Sequence, residues 1–211
     1  MNRNVLSVFL VFLLCGFVPS LAESQVGRGK FGVGLSLSGS ILQSDWKTNN
    51  LGYGGSADIS YMLGNNWGLN SALGLDSFSG VDPANAKALS TAFHGTLGVS
   101  YDFLPNKILN PFFFAGAGLM YYFPRVENGK ALLSGADRPW DLFVNGGIGV
   151  DCYLNESWSV IVTANATLMG SDNIDGYAAG ANDFIGRVSL GVRYYLFDRS
   201  TVQRMVDAVK Q

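Results

Sequence analysis

His94 is the only histidine in the chain, so imidazole acid–base chemistry has one candidate. Asp76 and Ser77 fall where the pattern reads as a loop mouth. With His94 they would supply the three residue types of a hydrolytic group. Alternation along the segment around it turns His94 inward. Six charges share that inward placement: Asp58, Asp102, Asp141, Asp151, Arg187 and Arg193. Buried charges persist only when paired and hydrogen-bonded. The expectation is an interior filled by an ion-pair network. In it Arg187 would meet Asp58 or Asp141, and Arg193 would meet Asp151 or Asp102.

Other chemistry finds little support. The chain has no CxxC pair, HExxH, P-loop or GxSxG. Gly146-Gly147-Ile148-Gly149 lies inside a strand pattern with no helix after it, so it does not read as a dinucleotide loop. Asp172-Asn173-Ile174-Asp175-Gly176 resembles a calcium loop in composition but lacks EF-hand spacing. No cofactor or metal is expected. With a net charge of −2, the chain has no nucleic-acid footprint.

These residues must be positioned by strands. From Phe184, the set Phe184, Gly186, Val188, Leu190, Val192, Tyr194 and Leu196 alternates with Ile185, Arg187, Ser189, Gly191, Arg193, Tyr195 and Phe197. The first set is apolar; the second carries both arginines. Period two means a β-strand with a different environment on each face. Seven more such segments precede it: 30–42, 51–63, 67–76, 91–103, 111–123, 140–154 and 158–169. The fifth is apolar on both faces, so its sides stay unassigned. Residues 77–90 read as a long loop in which Ala86-Lys87-Ala88-Leu89 could turn as helix. Short connections follow the second, fourth and sixth segments, and longer ones follow the others. That sorting fits a membrane barrel with short turns at one end and long loops at the other.

Composition agrees. Charged residues are 14% of the chain against about 25% in soluble domains, as suits an exterior facing lipid. The N-terminus has Arg3, an apolar run from Val5 to Val18 and a small-x-small site at Ser20-Leu21-Ala22, which reads as a secretory signal peptide over 1–22. Cys15 follows Leu14 rather than a small residue, which argues against a lipoprotein signal. Only Cys152 remains after cleavage, so no intrachain disulfide forms. Residues 23–29 are a polar lead, and 198–211 a tail with Val202, Met205, Val206 and Val209 at helical spacing. Trp67, Tyr101, Trp158 and Tyr194 fall near the short-turn ends, and Tyr53, Trp140 and Phe184 near the long-loop ends, as two interfacial belts would.

Over residues 30–197 the chain resembles the small outer-membrane β-barrel family, of the OmpA/OmpX-like type. Gly191, Tyr194 and Leu196 resemble the last-strand signal read by the barrel assembly machinery. The resemblance implies an eight-stranded antiparallel up-and-down barrel, all-β, in the outer membrane of a diderm bacterium. Its partners would be outer-membrane lipid and lipopolysaccharide, the assembly machinery and an extracellular ligand held by the loops. The function expected is structural or surface-interacting. The alternatives are a small pore and a lipid A-modifying enzyme; against the enzyme, the His-x-Ser spacing of the deacylase type is replaced by His94-Gly95-Thr96.

Overall fold

The computed structural model describes residues 30–105, 107–126, 139–155, 157–171, 174–175 and 182–197. The expected signal peptide, polar lead and C-terminal tail lie outside the described residues, as does most of the Asp172–Gly176 stretch. Nine strands form: β1 (Phe31–Gln43), β2 (Thr48–Asn49), β3 (Leu51–Met62), β4 (Trp67–Val81), β5 (Lys87–Asp102), β6 (Leu109–Val126), β7 (Trp140–Tyr153), β8 (Trp158–Met169) and β9 (Phe184–Phe197). Eight are long. Each long strand pairs antiparallel with its neighbours in sequence, and β1 pairs with β9 to close the ring. The result is a closed eight-stranded antiparallel barrel, which has no free sheet edge. The two-residue β2 adds to β4 above the ring.

Period two sets the two faces of this wall. Leu35, Leu37, Tyr53, Leu73, Leu97, Leu142, Ile148 and Val188 are exposed on the outside. An apolar exterior around a polar interior inverts a soluble barrel and matches a lipid-facing one. Among the described residues no helix is long and apolar enough to cross a membrane. The fifth long segment, ambiguous in sequence, resolves by neighbour packing. Phe112, Met120 and Tyr122 turn in, while Phe113, Leu119, Tyr121 and Phe123 turn out.

One connection differs from expectation. Residues 77–90 are mostly strand, and the loop shrinks to 82–86. Ser77 to Val81 pairs with Lys87 to Thr91, so the hairpin rises beyond the ring, and Lys87, Ala88 and Leu89 are extended rather than helical. Serines on this hairpin masked its alternation, because polar residues there face other loops as well as solvent. Its turn is closed by Asp82, whose Oδ1 accepts from the Ala86 amide at 2.6 Å, with Asn85 at φ 64°.

Candidate functional site

The lumen holds two charged nodes, one above the other. The lower node centres on Arg193 of β9. Its Nε and Nη2 donate to Asp58 Oδ2 on β3 at 3.1 and 2.8 Å. Strand β1 lies between them, and its residue in register with both is Gly34. A Cβ there would stand 2.8 Å from the Asp58 carboxyl carbon. Glycine therefore opens the path by which arginine crosses a strand to reach its acid. Arg193 Nη1 also lies 3.6 Å from Asp151 Oδ2 on β7. Tyr195 donates to that same oxygen at 2.8 Å, and its hydroxyl lies 3.3 Å from that of Tyr153. Below the tyrosines sits buried Lys30, its Nζ 4.6 Å from the Tyr195 ring centre and 5.6 Å from that of Tyr153.

The upper node joins three strands. Arg187 of β9 donates to Asp76 Oδ2 on β4, and His94 Nδ1 of β5 lies 3.2 Å from the same oxygen. His94 rests over Gly74, where a Cβ would come within 2.5 Å of the ring. Phe143 meets His94 edge-on, with centroids 6.4 Å apart. A cavity of about 150 Å³ lies at the level of the two nodes. Its walls include Ser36, Ser56, Thr163, Asn145, Asn165 and Ser189. Asn145 Oδ1, Asn165 Oδ1 and Arg187 Nε have no hydrogen-bond partner among the described residues. Polar walls of this kind hold ordered water.

Above the upper node the chemistry turns apolar. Leu42, Trp46, Phe78, Ala88, Ala92, Met120, Tyr122, Phe143, Met169, Ile174 and Ile185 form one buried cluster across the outer end. Two loops enter it. Trp46, from the loop after β1, donates its indole N–H to the Asp175 carbonyl at 3.2 Å. The Asp45 amide donates to Asp175 Oδ2 at 2.9 Å, and Ser90 Oγ to the Ile174 carbonyl at 2.7 Å. The Ile174 amide donates to Asp183 Oδ2 at 2.9 Å. Ile174 is thus fixed by its own backbone inside the mouth.

The structure brings together Asp58, Asp151 and Arg193, and separately Arg187 and His94. It corrects two pairings. Arg187 takes Asp76, not Asp58 or Asp141, because Asp76 stands within reach across the small residues of β3, whereas Asp58 is already held by Arg193. Asp141 stays out of the network. It sits at the rim and accepts from the backbone amides of Leu142 (2.8 Å) and Ser171 (2.6 Å), so it anchors a loop. Asp102 lines the cavity near the short-turn end and makes no ion pair among the described residues. Its main chain is tied to Asn66 instead. Asp76 was legible as a polar-face residue but hidden by the loop reading; Tyr195 shared the face of Arg193 and was passed over as aromatic. Nothing local marked Trp46 or Ile174.

The aromatics lie on the outer wall. Trp67 packs edge-on against Tyr101 with centroids 5.0 Å apart, and Trp158 lies tilted against Tyr194 at 4.8 Å, near the short-turn end. Tyr53 and Trp140 are exposed near the long-loop end, and Phe184 is half-buried there. In the last strand Gly191 turns in, while Tyr194 and Leu196 turn out. Cys152 has the outward parity of Val144 and Ile148 yet is only 3% exposed, because neighbouring side chains cover it.

Chemically, the upper node joins a histidine to a carboxylate, and the serine next to that carboxylate in sequence is not part of it. Ser77 follows Asp76 along an extended strand and therefore points to the opposite face. Among the described residues no group of three or more His, Cys, Asp or Glu side chains is arranged to hold a metal ion.

Comparisons with known proteins agree with this architecture. The model of the outer membrane protein β-barrel domain family matches residues 8–198. Among solved structures the barrel is similar to the attachment invasion locus protein Ail of Yersinia pestis in complex with the heparin analogue sucrose octasulfate. That match has 14% identity and a TM-score of 0.53, covering 80% of this chain and 99% of that one. It is similar also to OprG of Pseudomonas aeruginosa (14%, 0.54, covering 82% and 98%) and to Neisserial surface protein A (15%, 0.52, covering 78% and 96%). No curated protein sequence matches. At these identities the structural likenesses speak for the fold, and the family match speaks for the chain. This protein belongs to the outer membrane protein β-barrel domain family, whose place is the outer membrane of Gram-negative bacteria.

Proposed function

We propose that this protein is a non-conducting outer-membrane barrel that acts at the cell surface through its outer loops. The buried cluster from Leu42 to Ile185, with Ile174 pinned inside it, carries this reading. An eight-stranded barrel is just wide enough for side chains to fill, so a packed apolar layer leaves no hydrated path for ions. The polar cavity below would serve a pore only if that layer opened. The enzyme alternative is disfavoured by the outward turn of Ser77, away from the His94–Asp76 contact.

Ail takes a sulfated polyanion in its solved complex. Here the outer loops and their strand ends carry Lys47, Lys87, Arg125, Lys130 and Arg138 against Asp45, Asp82, Glu127, Asp137, Asp141, Asp172, Asp175 and Asp183. Asp82, Asp175 and Asp183 are buried and accept internal amides, which leaves five acids against five bases, a balance that singles out no charge class of partner. Reconstitution into planar bilayers tests the closed lumen. The expected result is no stepwise conductance above bare lipid at neutral pH. Steady openings of the wild-type barrel would overturn the proposal in favour of the pore.

A further inference from the structure

The outer wall has a depression at the short-turn end, and its lining suits an acyl chain. Most lipid-facing side chains stand proud of the wall. Toward the short-turn ends of β7 and β8 several do not: Val150, Val160 and Val162 are half-buried and Cys152 lies on the floor. The groove they form is about 270 Å³ and is lined by Leu109, Ile148, Val150, Cys152, Val160, Val162, Ala164 and Val188 among others. Strand register sets its depth in rows: Leu109–Cys152–Val160, then Val150–Val162, then Ile148–Ala164–Val188. Larger rings flank it. Tyr101, Phe103 and Phe113 cluster on one side with centroids 5.5–5.8 Å apart, and Trp158 packs on Tyr194 on the other. The aromatic belt is therefore interrupted here by small and β-branched residues.

We propose that this groove binds one phospholipid of the periplasmic leaflet, with an acyl chain along the β6–β8 wall and its phosphate at Lys107. Three observations carry it. The groove is continuous with the lipid-facing exterior, so hydrocarbon is the solvent at its mouth. It sits at the end bearing the short turns, which is the periplasmic end in such barrels, where phospholipid rather than lipopolysaccharide forms the leaflet. Lys107 is exposed in the turn between β5 and β6, two residues before Leu109 at the groove's foot, where an anionic phosphate would lie. A β-branched, rigid floor loses little side-chain freedom when an acyl chain packs on it.

Native mass spectrometry of the full chain in detergent micelles, supplied with palmitoyl-oleoyl phosphatidylethanolamine or phosphatidylglycerol, tests the proposal. The wild type should retain one phospholipid after the detergent is stripped. Ala164→Trp fills the groove and should lose the adduct, while Ala57→Trp on the opposite wall should keep it. Lys107→Gln should weaken retention by about tenfold, the loss of one charge-assisted contact. Heat-modifiable gel migration confirms that each variant still forms a closed barrel. Absence of the wild-type adduct, equal retention by Ala164→Trp, or a dimer in place of the lipid would overturn it.

Discussion

At its outer end the lumen is filled by Leu42, Phe78, Tyr122, Phe143 and Ile174; toward its inner end it is filled by Asp58, Arg193, Asp151 and two tyrosines. Both regions lie inside the same ring of eight strands, yet they are filled by different physics. The outer layer relies on apolar burial, which is non-directional and tolerates loops of varied sequence entering it. The inner layer relies on directional pairs that must all be satisfied together. The apolar plug is built mainly on strand ends and completed by two loops, which add Trp46 and Ile174. A charge network needs fixed strand register, and each of its donors sits on a long strand. The comparison teaches that wall positions alone carry the polar chemistry here, while the apolar layer also admits side chains from loops.

The strongest break in that comparison is Arg193→Met. Removing one partner strands Asp58 and Asp151, and we expect a loss of about 3–5 kcal/mol in urea unfolding from lipid vesicles. Adding Asp58→Asn should recover part of the loss, which a purely steric effect would not allow. A change of about 0–1 kcal/mol, the size of a surface pair, would show that the lower node is solvated rather than structural.

Ile174→Ala probes the other layer. It empties a fully packed site that only a loop supplies, with an expected cost of about 2–5 kcal/mol if the loop stays in place. The informative readout is conductance beside stability. A variant that begins to conduct while keeping its heat-modifiable migration would show that the apolar layer alone closes the path. A variant that remains silent would assign closure to the charged nodes as well.

The smallest effect sharpens the role of the crossing glycine. Gly34→Ala pushes a methyl against the Asp58 carboxylate and should cost about 1–3 kcal/mol. Gly39→Ala, on the same strand but with nothing within 4 Å of the added carbon, should be neutral or slightly stabilising. Equal effects at the two positions would remove the steric account of how Arg193 reaches Asp58.

The order of long strands, the outward identity of Leu35, Leu97 or Val188, and the inward identity of Arg187, Arg193 and His94 follow from the sequence by itself. Side chains on a strand alternate with period two, so facing is a local property wherever the two faces differ in polarity, as they do not in 111–123. Partner choice is not local. Which acid meets Arg187 depends on how far the strands stagger around the closed ring, and a change in stagger moves every partner along the lumen. That is why Asp76, the last polar-face residue of its strand pattern, proved to be the partner, and why Asp141 became a loop anchor. The extended β4–β5 hairpin was obscured for a related reason: beyond the membrane its two faces no longer meet lipid and lumen, so its pattern weakens. The outer plug belongs wholly to tertiary structure. Trp46 and Ile174 lie 128 positions apart in polar stretches, and only closure of the barrel brings both over the same opening.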